Sequence, residues 1–277
     1  MGLVKSRRPL AETPPEEAVQ SPVGLNQLPD EVLELILSWV PARTLVARCR
    51  LVCRRWRDLI GRPTLWKLQC ERDPALQAVL QAAQRCPRMD WCRVAVLRPF
   101  GRNLIKNPCG NGEAGGEGGE GAAGDPLPQL QCVHDRFFAS PQSWYSKSQV
   151  VDLLQEGFWE DLLDFYQPDI IISDGIFSFL PRWDIRRSTG CEYSMAVTLL
   201  AADQASVIAD FKAQPDSTSQ RNFPGYNEVS HVFRNYGPGV RYIRFWHEGR
   251  DTQYWKGCFG INFTNSMVLV KLSQEPV

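Results

Sequence analysis

The chain has 277 residues, with 31 Lys and Arg against 31 Asp and Glu, so its formal net charge is zero. It therefore lacks the overall positive field that holds a nucleic-acid backbone without sequence preference. At 43% hydrophobic and 22% charged residues the composition is that of a globular protein, and no apolar run approaches the ~20 residues needed to cross a bilayer. These figures exclude a general nucleic-acid binder and a membrane-spanning chain.

The start of the chain is polar and rich in proline, which predicts a disordered tail over 1–25. It has no apolar run of the length of a secretory signal, so we expect a cytoplasmic protein. Met1, Gly2 and Ser6 fit the spacing of an N-myristoylation site, and Lys5 lies beside them. Lipidation at Gly2 would give peripheral membrane contact, and the alternative is a chance glycine in a tail.

Two amphipathic helices are predicted next. Apolar residues recur at helical spacing between Leu28 and Pro41, and a second apolar stripe runs over 45–60 until Pro63 ends it. Arginines largely occupy the other side of the second helix: Arg48, Arg50, Arg54, Arg55 and Arg57. A further helical stretch over 74–83 is expected to connect this bundle to the second half of the chain.

The second half of the chain has the period of β-strands. A run of Gly, Glu and Ala over 111–124 predicts a flexible insert. From Tyr193 to Leu199 apolar and polar residues then alternate, as a half-buried strand requires. Similar strands are predicted over 206–212, 228–236, 240–247 and 261–271. Their turn-rich separations favour an antiparallel sandwich.

The segment from Leu28 to Ile60, LPDEVLELILSWVPARTLVARCRLVCRRWRDLI, resembles an F-box. About forty residues of short helices cannot enclose their own apolar faces, so a partner surface is expected. The resemblance implies that this partner is a Skp-type adaptor, which joins the box to a cullin-based ubiquitin ligase. The adaptor contacts it implies are Leu28, Pro29, Leu33, Ile36, Val40, Leu45, Val52 and Trp56. The alternative is a self-contained helical hairpin whose apolar stripe is core.

Most of the remainder resembles the F-box-associated domain of the sugar-recognising F-box-only proteins. The segments that carry this resemblance are GRNLIKNPCG (101–110), QVVDLLQEGFWEDLLD (149–164), VSHVFRNYGPGVRYIRF (229–245) and DTQYWKGCFG (251–260). It implies a β-sandwich that binds the inner chitobiose of high-mannose N-glycans.

The two resemblances together define the expected organisation. The fold class is α+β, with a small N-terminal helical bundle, a helical linker and a C-terminal antiparallel, jelly-roll-like β-sandwich. The expected ranges are a tail at 1–25, an F-box at 26–72, a linker at 73–98 and a sandwich domain at 99–277, with a flexible insert at about 111–126.

The resemblance places a glycan pocket at the tripeptide Tyr254, Trp255 and Lys256. A pyranose has an apolar face and a rim of hydroxyls, which suits a flat aromatic ring beside hydrogen-bonding groups. Asp174 is carried over to the same pocket. The alternative is that the aromatic pair belongs to the sandwich core. Two departures bear on sugar affinity: Gln142 stands where relatives carry a ring, and Gly175 where they carry Trp.

No catalytic, metal or cofactor site is predicted. His134, His231 and His247 are too few and too separated for a metal centre. Glu160 and Asp164 lie on a short amphipathic turn, where solvated carboxylates are expected rather than a glycosidase pair. We therefore expect a non-catalytic receptor without a cofactor.

The expected function is substrate recognition in an SCF-type (Skp–cullin–F-box) ubiquitin ligase, with N-glycosylated high-mannose glycoproteins as clients for degradation. Two alternatives stay open. One is an F-box receptor for a protein epitope without a glycan, and the other is a cytosolic lectin or scaffold that is not coupled to the ligase. A carbohydrate-cleaving enzyme is disfavoured, because converging carboxylates are not evident.

Overall fold

The computed structural model describes residues 24–83, 86, 88–108, 145–178, 191–213, 225–251 and 261–272. The helices are α1 (Asp30–Leu37), α2 (Ala42–Ala47), α3 (Arg54–Ile60), α4 (Pro63–Arg72), α5 (Gln77–Ala83) and α6 (Trp91–Leu97). Short 3₁₀ turns lie at Leu25–Gln27, Cys49–Leu51 and Pro74–Leu76, and a π turn lies at Leu162–Tyr166. None of the helices in the described ranges is both long and apolar enough to cross a bilayer.

The strands follow the helices along the chain. They are β1 (Tyr145–Asp152), β2 (Asp169–Ser178), β3 (Cys191–Leu200), β4 (Val207–Ala213), β5 (Gly225–Phe233), β6 (Tyr242–Asp251) and β7 (Ile261–Lys271). One antiparallel sheet has the order β1-β6-β3-β4, and the other has the order β5-β2-β7. This arrangement of N-terminal helices and a C-terminal antiparallel β-domain confirms the predicted α+β fold class.

The single helix predicted over 45–60 is wrong. Helix α2 ends at Ala47, and the chain makes a 3₁₀ turn before α3 begins at Arg54. Cys53 between them is extended, with φ −159° and ψ 172°, and its sulfur accepts a hydrogen bond from the backbone N–H of Trp56. This cap satisfies one of the amide groups that a new helix start leaves free, so the break is stable although the apolar stripe runs through it.

The buried core runs through the inner faces of both sheets. Alternate residues of β2 and β3 point into it, and Ile170, Ile172, Met195 and Val197 have no exposed surface. The same cluster of buried apolar side chains extends into the helices through residues such as Leu65 of α4. Since hydrophobic burial is the main favourable term in folding, the helices and the sandwich are held by one apolar interior.

The junction between helices and sandwich lies where α6 meets residues 156–159. The ring of Phe100 packs edge-on against Phe158, with centroids 5.5 Å apart. Arg102 donates a 2.6 Å hydrogen bond to the carboxylate of Glu156. Gly157 has φ +100° and lies directly against the side chain of Leu97. Only a residue without Cβ fits this close contact, so Gly157 fixes how closely α6 approaches.

Beyond α6 the chain lies along the outer edge of β7. The amide of Leu104 donates to the carbonyl of Val268 at 2.8 Å, and the amide of Ser266 donates to the carbonyl of Pro108 at 2.9 Å. The side-chain amide of Asn103 adds a 2.9 Å bond to the carbonyl of Ser266. Segment 101–108 therefore occupies backbone groups that an edge strand would otherwise leave open.

Replacing Gly157 with Ala should destabilise the protein more than the same change at Gly101. Both glycines have positive φ, but a Cβ at Gly157 would lie 2.9 Å from the Cβ of Leu97, whereas nothing lies within 4 Å of one at Gly101. We expect G101A to lose about 1–2 kcal/mol from backbone strain and G157A to lose about 1–3 kcal/mol more from overpacking. Urea unfolding measures both, and equal losses would contradict the close contact.

Candidate adaptor surface and sandwich ligand end

The outer face of α1 and of the turn that follows it is apolar and open. Four side chains share this face at helical spacing, and we call them the apolar strip: Val32 (42% exposed), Leu35 (48%), Ile36 (39%) and Trp39 (73%). The opposite face carries Leu33, which is completely buried. Helix α1 thus divides its apolar residues between its own core and the surface, which is the pattern of a helix that docks into a groove.

Trp39 at the end of the apolar strip is held by Arg72 from α4. The guanidinium carbon of Arg72 lies 4.0 Å from the centre of the indole ring, a cation–π contact. The same side chain donates a 2.6 Å hydrogen bond to the hydroxyl of Ser38, which donates in turn to the carbonyl of Leu35 at 2.7 Å. These contacts fix the orientation of a large, otherwise exposed ring.

The entry to α1 is tied to α3 through Arg55. Its guanidinium donates to Asp30 at 2.7 and 2.9 Å and to the carbonyls of Asn26 and Leu28, each at 2.6 Å. The hydrogen bonds from Arg55 are the main reason that the pKa of Asp30 lies below its usual value. Trp56 adds a 3.2 Å bond from its indole N–H to the side chain of Asn26. Helix α3, which carries the predicted contact Trp56, therefore also positions the predicted contacts Leu28 and Pro29 at the start of α1.

Most of the sequence-predicted adaptor contacts keep exposed surface: Leu28, Pro29, Ile36, Val40, Val52 and Trp56. Leu33 and Leu45 have no exposed surface and belong to the core, where they hold the helices in place. This burial differs from the expectation that both side chains contact the adaptor. Leu35, Trp39 and Leu51 are exposed but were not among the predicted contacts. Leu35 is adjacent to Ile36 and Trp39 lies three residues after it, so helical spacing could have identified both as exposed neighbours of Ile36.

A buried polar cluster links the two sheets at Asp174 of β2. This side chain has no exposed surface. Its carboxylate accepts 2.6 Å hydrogen bonds from the hydroxyls of Tyr193 on β3 and Ser266 on β7, and it lies 2.6 Å from Nδ1 of His247 on β6. Burial and the nearby charge of Asp174 raise the pKa of Tyr193, so its hydroxyl stays a donor. Among the described residues, the carboxylate therefore has three polar partners.

Asp174 faces the interior in alternation with Ile170 and Ile172, and opposite it the pairing of β2 with β7 is irregular. The register between β2 and β7 shifts between Ser173 and Gly175, and Asn265 on β7 has φ +56°. Such a bulge re-aims side chains in a strand. Sugar contact by Asp174 stays a prediction; among the described residues its carboxylate contacts the three groups of the polar cluster.

The strands that flank the predicted sugar residues along the chain, β6 and β7, each end beside the end of a neighbouring strand. Asp251 at the end of β6 pairs with Cys191 at the start of β3, and Ile261 at the start of β7 pairs with Ser178 at the end of β2. We call this the ligand end of the sandwich. Several residues singled out in the sequence lie outside the described residues: Gly2, Gln142, Tyr254, Trp255 and Lys256.

Removing the carboxylate of Asp174 should strongly destabilise the fold. Asp174→Ala leaves the buried hydroxyl of Tyr193 and the buried ring of His247 without their partner, and each buried polar group left unsatisfied costs about 1–3 kcal/mol. Ser266→Ala is the matched control, because it removes one hydroxyl donor and should cost about 1 kcal/mol. Urea unfolding measures the difference, and a D174A loss no larger than that of S266A would contradict the central place of the carboxylate.

Comparison with known proteins gives two regions of similarity. An F-box-like domain matches residues 25–72, and an F-box associated region matches residues 95–270. F-box only protein 2 of Bos taurus is 37% identical, over 94% of this chain and 88% of that protein. F-box only protein 27 of Mus musculus is 39% identical, over 98% of each chain. F-box only protein 6 of Homo sapiens is 39% identical, over 89% of this chain and 84% of that protein.

Both predicted resemblances are confirmed by these matches, which together extend over the helices and over the strands described above. The chain belongs to the F-box only family, in which an F-box-like domain is followed by an F-box associated region.

Proposed function

We propose that this chain is the substrate-recognition subunit of an SCF-type ubiquitin ligase and that its sandwich recognises N-glycosylated clients of the high-mannose type. The F-box-like domain and the F-box associated region support the recognition role and the partnership with a Skp-type adaptor and cullin. The observation that carries the proposal is the apolar strip of α1, which stays open to solvent beside a closed core.

Exposed apolar side chains on neighbouring turns of one helix are costly for a solitary protein, because they offer a surface for unspecific association. A grooved partner removes this cost and gains the free energy of burying Ile36 and Trp39. Val52, which is 59% exposed on the turn before α3, extends the apolar surface beyond α1. The adaptor is the partner that the family membership supports.

The chain acts in this proposal by proximity and not by chemistry of its own. The adaptor and cullin hold one end, the sandwich holds a client, and client lysines gain a high effective concentration near the conjugating enzyme. The family relationship supports this non-catalytic receptor role. Placement in the cytoplasm, with peripheral membrane contact through an acylated Gly2, is part of the same proposal.

The glycan part of the proposal rests on the tripeptide Tyr254, Trp255 and Lys256 between β6 and β7. The described ends of these strands belong to different sheets and lie at the ligand end of the sandwich. Loops that leave a rigid sandwich are favoured positions for binding residues. In this proposal Trp255 stacks on the sugar, its neighbours hydrogen-bond around it, and Asp174 supports the pocket.

A second candidate is a receptor for a protein epitope without a glycan. The observation that favours it is Gly175, which lies next to the register shift between β2 and β7 and carries no aromatic side chain. With Gln142 in place of a ring as well, fewer stacking surfaces are available to a sugar. Binding to an array of N-glycans separates the two candidates.

Ile36→Asp should reduce binding of a purified Skp-type adaptor at least about tenfold, because it places a charge in the buried centre of the proposed contact. Val207→Asp is the matched control, since Val207 is an exposed aliphatic residue (58%) at the start of β4. Calorimetric titration of both full-length variants measures the effect. If both variants bind like the unmodified chain, the apolar strip is not the docking surface.

Trp255→Ala should abolish retention on immobilised high-mannose chitobiose, because the aromatic ring supplies the stacking surface for the pyranose. The same preparation should still co-purify with the adaptor, which controls for folding. Leu154→Ala, a change of an exposed apolar residue (38%) in the sandwich domain, should alter neither property. Unchanged glycan retention in W255A would remove Trp255 from the site.

A further inference from the structure

The outer face of the four-stranded sheet carries a tryptophan on its second strand, β6. Along this strand the buried residues Ile243, Phe245 and His247 alternate with residues that keep exposed surface. Trp246 is one of the latter, because it is half-buried and belongs neither to the core nor to the side chains packed against it. Since successive side chains of a strand point to opposite faces, its indole lies on the outside of the sandwich.

The residues beside Trp246 on both neighbouring strands are small. In the register of the sheet, Trp246 lies opposite Ser148 of β1 and Ala196 of β3. Directly opposed residues have Cβ atoms about 5 Å apart, so these two short side chains leave the large ring uncovered on both sides. Among the described residues, the ring also makes no stacking contact with another aromatic ring and no cation–π contact. A flat apolar surface is therefore available on this face of the sheet.

Polar side chains surround the ring of Trp246. On the same strand, Arg244 is exposed two residues before it, and Glu248 is half-buried two residues after it. Thr198 of β3 lies opposite Arg244, whose guanidinium donates a 3.2 Å hydrogen bond to the carbonyl of Gln204. We call the ring and its small and polar neighbours the outer platform, which consists of Ser148, Ala196, Thr198, Arg244, Trp246 and Glu248.

The side chains of the outer platform suit a saccharide. The apolar C–H face of a pyranose packs against a flat indole, and its hydroxyls need both donors and acceptors around that ring. The guanidinium of Arg244 donates, the carboxylate of Glu248 accepts, and the hydroxyl of Ser148 can do either. Proline-rich peptides, the other common ligands of exposed aromatic side chains, bind in grooves lined by aromatic residues, whereas here one ring lies on an open sheet.

The outer platform is continuous with the ligand end of the sandwich. Strand β6 runs from Trp246 to its last residue, Asp251, at the ligand end. Five residues of a β-strand span about 17 Å. A high-mannose glycan extends from its inner chitobiose through branched mannose residues, so a glycan held at the ligand end can bring mannose over this face of the sheet. A second contact to the same ligand forms at high effective concentration and adds to the affinity.

We infer that the outer platform binds mannose residues of N-glycans, with Trp246 stacking on a pyranose face and its polar neighbours hydrogen-bonding the sugar hydroxyls. This inference rests on the proposed function, because it takes a high-mannose glycan as the ligand. It adds a second point of contact on the face of the sheet, separate from the tripeptide Tyr254, Trp255 and Lys256.

Calorimetric titration of the full-length chain with a high-mannose oligosaccharide and with free chitobiose tests the outer platform. Trp246→Ala should weaken binding of the oligosaccharide about three- to tenfold, which is the size of one stacking contact, and should leave the affinity for chitobiose unchanged. Phe165→Ala is the matched control, because Phe165 is a 74% exposed aromatic residue in the turn that precedes β2, at the opposite end of the sandwich from the ligand end. It should change neither affinity.

A second variant tests the same contact without removing the ring. Ser148→Arg places a long side chain directly opposite Trp246, where its guanidinium covers the indole by a cation–π contact. This variant should weaken binding of the oligosaccharide as much as W246A does and should also leave chitobiose binding unchanged. Because Ser148 is exposed, the substitution should have little effect on folding, and circular dichroism of each variant checks this.

The outcomes separate this inference from the proposed function. If the unmodified chain, W246A and S148R bind the oligosaccharide equally well and all bind chitobiose, the inference is overturned and the proposed function stands. Oligosaccharide binding that is lost in S148R, in a chain that does not bind chitobiose, supports the inference and counts against the pocket at Trp255. Binding of neither ligand by the unmodified chain overturns the inference and the glycan part of the proposed function. Binding of a proline-rich peptide that is lost in S148R, while oligosaccharide affinity is unchanged, assigns the outer platform to a protein partner and also overturns the inference.

Discussion

Helix α1 is eight residues long and can bury only one of its faces within its own chain. Leu33 and Leu37 take the inner face, so every other apolar side chain of the helix must lie at the surface. This division governs the helical part of the molecule: Arg55 ties the start of α1 to α3, and Arg72 braces Trp39 from α4. The surface that a partner would cover is thus built on a rigid scaffold, which lowers the ordering cost of binding.

The sandwich depends on a different kind of contact. Its two sheets share an apolar interior, but one ionisable side chain, Asp174, collects hydrogen bonds from both of them. A buried carboxylate with three partners specifies how the strands line up, because any slip leaves a polar group unsatisfied. The members of this cluster come from β2, β3, β6 and β7, so it ties together four strands of the two sheets.

Much of the fold follows from local sequence periodicity. The alternation from Tyr193 to Leu199 predicts β3 because one face of that strand is buried, and the 3.6-residue spacing predicts α1. The break at Cys53 was not predictable from the apolar stripe, because the stripe continues across it while the backbone does not. Nor could spacing reveal that Leu33 faces the core and Ile36 faces solvent, or that Asp174 is buried: these depend on contacts between residues far apart in sequence.

Segment 101–108 affects how the sandwich domain would behave as an isolated fragment. Its backbone and the Asn103 side chain cover one margin of β7. A fragment that starts after Pro108 would uncover that margin and leave a ready template for β-strand addition between copies. Crosslinked dimers or fibrous precipitates of such a fragment would then result from the loss of segment 101–108. They would not indicate that the intact chain forms oligomers.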